Sequence, residues 1–563
     1  MRTILIIIGI LFLCLICLVG LVGLSFFFDI PAGLWDGIGY YDSDGSYYSD
    51  QYYYDNEYYY DEDGQGQGYD QGFDDYQDGL PDLPASVTGL TLGSYTETDC
   101  PFQTVSNRVT CGYLAVPEDH TNSSSPTIYL AVATIHASSA NPGSIPLIYL
   151  EGGPGGSALD GAEMLWLNSR LTADRDVILI DQRGTGYSQP SLNCTEFDQD
   201  SLIRQNDNQL MIKCRNRLES TGINLASYNS AQNAADIAIL RTALGITQAD
   251  LLGVSYGTRL ALTVIRDHPE GFRSIILDSV YPPQADGISE QPLVSLQAIE
   301  ALTNGCQQDA ACRQAFPNLF NRLTEVVTRL NQDPVSVKIT DPYTGERSTE
   351  QINGDDVVYT LGSELYSTAV IPYLPAYINA LYEEEYDRAY EILDTAYANM
   401  PEPEGNFPEP VLDVSDSEGM FTSVECYDEV AFSSVSAATS LVQGYPSTYT
   451  DQMIWDTEDF FDTCQMWMDA SAPPIEDQPV RSNIPVLILN GDYDPVTPPA
   501  WAQAAADYLP NSQVFIFPGH GHAVIDAGTC PVTLMLDFLE NPDQTVNNTC
   551  FAAISPPDFV INP

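Results

Sequence analysis

The stretch from Leu251 to Gly257 constrains this chain more than any other. Leu251-Leu252 close a short apolar run, Gly253-Val254-Ser255-Tyr256-Gly257 turn sharply, and Thr258-Arg259-Leu260-Ala261-Leu262 open a helical pattern. Strand, tight turn and helix in that order put a serine at the tip of an elbow, with its hydroxyl raised over the edge of a sheet. The flanking glycines answer a steric need, because side chains would collide where strand and helix approach. G-x-S-x-G recurs by chance, so its meaning rests on what surrounds it.

What surrounds it reads as apolar strands alternating with helices. Residues 111–117 and 127–135 alternate as strands do. The run 145–150 is continuously apolar, 176–180, 274–278, 485–489 and 513–517 are largely so, and a helix is expected over 231–244. Strands buried on both faces and separated by helices mean an α/β fold, a mainly parallel sheet covered on both sides. Between Pro282 and about Arg481 the pattern becomes helical, as over 316–330 and 376–397, which marks an insertion between two core strands.

The ends and the charge narrow the class further. Met1-Arg2 precede 26 uncharged, mostly apolar residues, Thr3 to Phe28. That exceeds the ~7–15-residue apolar core of a secretory signal and suits a membrane-spanning helix of about 20 residues. With Arg2 before it and only acidic residues for a long way after it, the expectation is an N-terminal anchor (1–28) with the remainder outside the cytoplasm; a cleaved signal and a secreted protein are the alternative. Residues 29–84 hold fifteen Asp or Glu, twelve Tyr and no Lys or Arg, the composition of a disordered, solvated spacer. The whole chain carries 20 Lys+Arg against 78 Asp+Glu, net −58, which argues against nucleic acid as a partner.

Outside the apolar span, ten cysteines fall into near neighbours: Cys100 with Cys111, Cys194 with Cys214, Cys306 with Cys312, Cys426 with Cys464, and Cys530 with Cys550. Sequence does not fix connectivity, but short loops close cheaply and an exported chain oxidises, so neighbouring pairs are expected as disulfides. Zinc ligation is disfavoured because no CxxC pair with nearby histidines is present.

A serine hydroxyl needs a base to take its proton and a third group to orient that base. On an elbow of this kind the order along the chain is Ser, acid, His, the last two on loops after late strands. Asn490 to Pro498, with Asp492 and Asp494, follows one predicted strand, and Pro518-Gly519-His520-Gly521-His522 follows the next. His120, His136 and His268, the other histidines, do not follow late strands. An oxyanion would take the amide of Tyr256 and one from the glycine-rich loop Gly152 to Gly156, at Gly153.

Together, residues 152–156, Asp181 to Ser188, 253–258, 277–280 and 491–498 resemble the α/β-hydrolase exopeptidases related to proline iminopeptidase. Within them the chain is most similar to the secreted tripeptidyl-aminopeptidase-like branch, over roughly residues 96–552. The resemblance implies Ser255 as nucleophile, Asp494 as acid and His522 as base, His520 occupying a variable position before it. It also implies cap carboxylates that hold the substrate's free amine, for which Glu425 and Asp428 are the candidates. The cysteine spacing fits the same branch. The chain departs from the pattern at Glu151, where histidine is usual, and at Val254, where glycine is common.

The expected organisation is 1–28 anchor or signal, 29–84 spacer, 85–282 first core part, 283–481 helical cap and 482–563 second core part. The expected activity is aminopeptidase action on short peptides through an acyl-enzyme, with no metal or organic cofactor. The rivals are an esterase on the same fold and a non-catalytic surface binding protein. Neither the residues released nor the oligomeric state can be read from the sequence.

Overall fold

The computed structural model describes residues 80–563, apart from 140–144, 163–165, 168, 200–206, 341–346 and 401–413. The expected membrane anchor and the spacer up to residue 79 lie outside the described residues. Among the described residues no helix is long and apolar enough to cross a membrane.

In chain order the strands are β1 (Tyr95–Thr98), β2 (Val109–Pro117), β3 (Thr127–Ile135), β4 (Leu147–Leu150), β5 (Val177–Ile180), β6 (Ala249–Val254), β7 (Phe272–Asp278), β8 (Val335–Thr340), β9 (Arg347–Ile352), β10 (Val486–Gly491) and β11 (Ser512–Phe517). Nine of them form one sheet, and β8 and β9 pair separately. The order in space is β1-β2-β3-β5-β4-β6-β7-β10-β11, antiparallel as far as β5 and parallel from β5 to β11. Strands β4, β5, β6 and β10 are buried along their whole length, as strands under helices on both faces must be, which is why β4 and β5 read as unbroken apolar runs. Side chains alternate between two cores. Ile148, Leu251, Ile275 and Ile488 pack on one face, while Tyr149, Leu252, Ile276 and Leu489 pack on the other.

The topology fixes where a site can form. From β4 the chain crosses to β5 on one side and continues to β6 on the other, so the order reverses between β4 and β6. A crevice opens at the carboxyl ends of strands flanking such a reversal. The glycine-rich loop leaves β4 there and the serine elbow leaves β6.

The insertion has a core of its own, formed by residues such as Leu302, Leu323, Val327, Leu361, Leu374 and Leu381. Two details differ from the sequence reading. The expected helical stretch 376–397 is two helices, Leu374–Tyr382 and Tyr386–Ala398, separated by Glu384 at φ 64°. The β8–β9 hairpin also interrupts the helices. Its alternating Val335, Val337 and Ile339 read as strand once isolated from their helical surroundings. The end of the chain turns back to this unit, with Val560 N–H donating to the Pro372 carbonyl at 2.9 Å.

All five neighbouring cysteine pairs are bonded, with Cα–Cα distances from 4.9 to 5.7 Å. Cys100 and Cys111 tie the segment after β1 to β2, and Cys194 and Cys214 tie the loop after β5 to helix Asp207–Ser220. Cys306 and Cys312 join helix Gly287–Gln308 to the short helix Ala310–Ala315. Cys530 and Cys550 join helix Thr529–Glu540 to the C-terminal segment. Glu196 lies beside the sulfurs of Cys194 and Cys214, but those sulfurs are spent on each other and leave no thiolate for a metal.

The longest loop, 38 residues, is closed by Cys426–Cys464, which joins helix Glu418–Asp428 to helix Ser447–Trp467. Loop-closure entropy assigns a link of that length about 4 kcal/mol. Replacing both cysteines with serine should lower unfolding stability by about 2–4 kcal/mol in denaturant titration, and an unchanged midpoint would contradict this.

Candidate active site

At the elbow Ser255 adopts φ 56° and ψ −126°, a backbone conformation that L-residues rarely occupy. Three bonds hold it. Its N–H donates to the Asp278 carbonyl at 3.0 Å, and its own carbonyl accepts the Thr258 N–H at 2.9 Å and the Thr258 hydroxyl at 2.6 Å. Gly257 lies against the Leu150 carbonyl at the end of β4, where a Cβ would overlap backbone. A Cβ on Gly152 would lie 2.9 Å from that of Ser255, so the glycine-rich loop can pass this close only as glycine.

Asp494 follows β10 and His522 follows β11, and both are buried. His522 Nδ1 lies 2.9 Å from Asp494 Oδ2. Asp494 Oδ1 accepts the N–H groups of Val496 and Thr497 at 3.0 and 2.8 Å, and the Thr497 hydroxyl donates to Oδ2 at 2.7 Å. Burial pushes the Asp494 carboxyl up, but the charge of His522 and these bonds outweigh it and hold the group below its ordinary value. An ionised Asp494 fixes the tautomer with the proton on Nδ1, which makes Nε2 the basic nitrogen of the ring.

His520 is turned elsewhere. Its Nδ1 donates to the Pro518 carbonyl at 2.8 Å and its ring packs 5.3 Å from that of Phe517. Burial lowers its basicity. The remaining histidines are structural: His120 meets Asp236, His136 meets Asp176, and His268 ends the helix Tyr256–Asp267.

Several contributors were not anticipated from the sequence. The Asp278 carboxylate accepts the amides of Val524 and Ile525 at 3.0 and 2.7 Å, and Ser279 Oγ accepts the Ala523 amide at 2.8 Å, so the end of β7 holds the His522 loop. Tyr366, beyond helix Gly354–Glu364, accepts the His522 N–H on its carbonyl at 3.1 Å and sets its ring 4.9 Å from the imidazole. Asp278, within the motif 277–280, was legible as a motif but not as a clamp. Tyr366 carried no signal at all.

A cavity of about 320 Å³ opens over this arrangement, with Gly153, Ser255, Thr497, Tyr366 and Glu425 in its wall. None of the bonded cysteines lines it, so Cys111, Cys312, Cys550 and their fellows shape the frame and not the site. The two candidate amine-binding carboxylates are placed differently. Glu425 lines the cavity, and burial pushes it up to about 7 against the charge of Arg259. Asp428 is not in the cavity wall; its Oδ2 accepts the Ser230 N–H at 3.0 Å at the start of helix Ser230–Ala243. Arg259 is buried one turn after Ser255, pairs with Glu429 at 2.5 Å, and lies 5.1 Å over the Tyr281 ring. Glu151 is buried too, accepting the Tyr149 hydroxyl at 2.9 Å and the Gly152 N–H at 2.8 Å, so it braces the glycine-rich loop. Tyr256, whose amide adjoins the elbow, places its hydroxyl 3.0 Å from Ser230 Oγ.

A family model described as alpha/beta hydrolase fold matches residues 145–529. The chain belongs to the alpha/beta hydrolase fold family. It is 25% identical to YuaR of Escherichia coli (strain K12), a protein named only as a hydrolase, over 460 residues that cover 78% of this chain and 87% of that one. It is 25% identical to the tripeptidyl aminopeptidase of Streptomyces lividans over 416 residues, 69% of this chain and 73% of that enzyme. A shorter match, 29% over 224 residues, relates 36% of this chain to 42% of the serine protease Hip1 of Mycobacterium tuberculosis (strain ATCC 25618 / H37Rv). The family and the order of the site residues make the chain an α/β serine hydrolase with peptidase-named relatives.

Two outcomes follow. His522→Ala should cost roughly 10³-fold or more in kcat with the circular dichroism of the fold retained, whereas His520→Ala should keep most activity; the reverse ranking would refute the assignment. The second concerns stability. Burial first of all holds Glu151, Asp181, Asp278, Glu364 and Glu425 at about 7, against ordinary values near 4 in the unfolded chain. Between those values the folded state binds more protons, so stability rises as pH falls through that window. The melting temperature should therefore be higher at pH 5.5 than at pH 8, and a lower one would contradict the burial argument.

Proposed function

We propose that the protein is a serine aminopeptidase acting on short peptides outside the cytoplasm. Ser255 Oγ loses its proton to His522 Nε2 and attacks the scissile carbonyl carbon, and the Gly153 and Tyr256 amides stabilise the oxyanion that forms. Collapse breaks the C–N bond, the leaving amine takes the proton from His522, and water activated by the same imidazole releases the acyl group. Asp494 holds the tautomer throughout.

The observation that carries the peptidase reading is Glu425, a buried carboxylate in the same cavity wall as Ser255, with no Lys, Arg or His among the described residues of that wall. Such a group suits a substrate ammonium, which would restore the charge balance that burial makes costly. The tripeptidyl aminopeptidase and protease names of relatives support the reaction class. Five disulfides support an oxidising compartment. We further propose that residues 283–481 act as the cap over the core and that residues 1–28 tether the protein to a membrane.

The test is the ratio of kcat/KM for aminoacyl 4-nitroanilides with a free amine to that for their N-acetyl forms. The wild type should favour the free amine, and Glu425→Gln should shrink that ratio by about tenfold or more, the worth of a hydrogen bond to a charged group. Hydrolysis of simple esters with no turnover of any amide would replace this reading with an esterase.

A further inference from the structure

The cavity does not end at Glu425. Its wall continues along helix Gly354–Glu364 and helix Ser447–Trp467 to Tyr359 and Asp456. Tyr359, Gly362, Ser363 and Tyr366 recur at helical spacing and all face the cavity, so they form a single stripe leading away from His522. From Tyr359 to the helix end at Glu364, and on through the hydrogen-bonded turn to Tyr366, is seven residues, or about 10 Å at helical rise.

Three observations at the distal end point to a ligand. The Tyr359 hydroxyl is buried and has no hydrogen-bond partner among the described residues, a condition that native structures rarely leave unanswered. Asp456 accepts one hydrogen bond, from the Gln452 side chain at 2.8 Å, and no cation in the described wall balances it. Gly362 sits between them and Tyr366 at an ordinary helical φ, with nothing within 4 Å of where a Cβ would be. Glycine is a weak helix former, and neither strain nor crowding requires it there. Its effect is to leave the passage open.

We propose that Asp456 and Tyr359 form a distal subsite that takes a cationic nitrogen of the substrate's acyl portion, about 10 Å along the cavity wall from Tyr366 at its His522 end, through a passage kept open by Gly362. The carboxylate supplies the countercharge. The phenol oxygen, which burial and the charge of Asp456 keep protonated, turns a lone pair to the cation's N–H. Burial pushes Asp456 up to about 6, so it is mainly ionised at pH 7.5. The same nitrogen can come from a lysine or arginine side chain, or from an amino terminus about three residues out, since an extended chain advances about 3.3–3.6 Å per residue. Phe421 and Phe460, ring centroids 6.1 Å apart, both line the cavity and offer apolar surface to the methylenes between. The inference rests on the serine-hydrolase chemistry of the Proposed function for its reacting end, but not on the substrate being a peptide.

The full-length protein at pH 7.5 tests it with matched pairs, each read as a ratio of kcat/KM. One pair is 6-aminohexanoyl and hexanoyl 4-nitrophenyl esters, the second lysyl and norleucyl 4-nitroanilides, the third a trialanyl 4-nitroanilide with a free and an acetylated amine. In the wild type at least one pair should favour the cation. Asp456→Asn should shrink that ratio by about tenfold or more, and Tyr359→Phe should shrink it less. Glu458→Gln is exposed on the same helix, carries the same charge change and should leave the ratio alone, which separates the subsite from the general acidity of the chain. Gly362→Leu should abolish the preference by blocking the passage, while Gly362→Ala should fold with equal or greater stability. Loss in the lysyl pair assigns the nitrogen to a side chain, and loss in the trialanyl pair assigns it to a terminus. If Asp456→Asn and Tyr359→Phe both leave every ratio at its wild-type value, the subsite is wrong, even where Glu425→Gln shows the aminopeptidase reading to be right. If amides are not cleaved but the ester pair depends on Asp456, the aminopeptidase reading falls and the subsite stands.

Discussion

The main chain of Asp278 accepts the Ser255 amide, while its carboxylate accepts the amides of Val524 and Ile525, just beyond His522. A single buried residue at the end of β7 therefore holds the serine elbow on one side and the histidine loop on the other. Both loops need holding. Ser255, Ser279 and Ala523 all sit at positive φ, and each such residue costs of order 1–3 kcal/mol unless its surroundings enforce it. Because β6, β7, β10 and β11 are adjacent and parallel, the ends of four strands reach the same edge, and Asp278 lies in the middle of that edge.

Charge is arranged around this frame with few cations. Arg183 and Arg259, both buried, each serve a carboxylate: Arg183 grips Asp236 with two nitrogens, and Arg259 pairs with Glu429 while Glu425 and Asp428 stand near it. Removing one partner of a buried pair leaves an uncompensated charge, a loss of about 3–5 kcal/mol. The motif Asp181 to Ser188 thus turns out to be architectural: Asp181 accepts Ser157, Leu159 and Tyr187, and Arg183 ties down the loop before helix Ser230–Ala243. Three carboxylates around one guanidinium leave the cavity side of Arg259 short of positive charge.

The sheet was legible because buried parallel strands are continuous apolar runs, and the elbow, the Asp494 loop and the His522 loop were legible because each follows such a run. The cysteine pairs were legible for a different reason: each partner lies near its mate along the chain, as Cys306 does to Cys312, so closing the loop costs little. The choice of His522 over His520 came from the resemblance, and the structure points the two side chains to different partners. What could not be read lies in contacts across long separations. Nothing local marks Tyr366 as a neighbour of His522, 156 positions later, or tells Glu425 from Asp428 three residues on. The break at Glu384 was hidden because Glu383 to Glu385 are unexceptional in a helix, yet the Glu384 and Glu385 N–H groups turn back to the Leu381 and Ala380 carbonyls at 3.2 and 2.9 Å and end the first helix there.

The helix that carries Glu425 is fastened to the glycine-rich loop after β4 at its start, where Ser157 N–H donates to the Ser415 carbonyl, and Ser417 N–H donates to the Gly155 carbonyl, at 2.8 and 3.1 Å. Its far end is fastened by Cys426–Cys464. The Glu425 helix is therefore tied by main-chain hydrogen bonds to the loop whose Gly152 packs against Ser255, and not through the separate helical core. The span between the two groups behaves as a ruler cut into the hydrolase core. Sequence drift elsewhere in the insertion can reshape what lies beyond the ruler without altering its length.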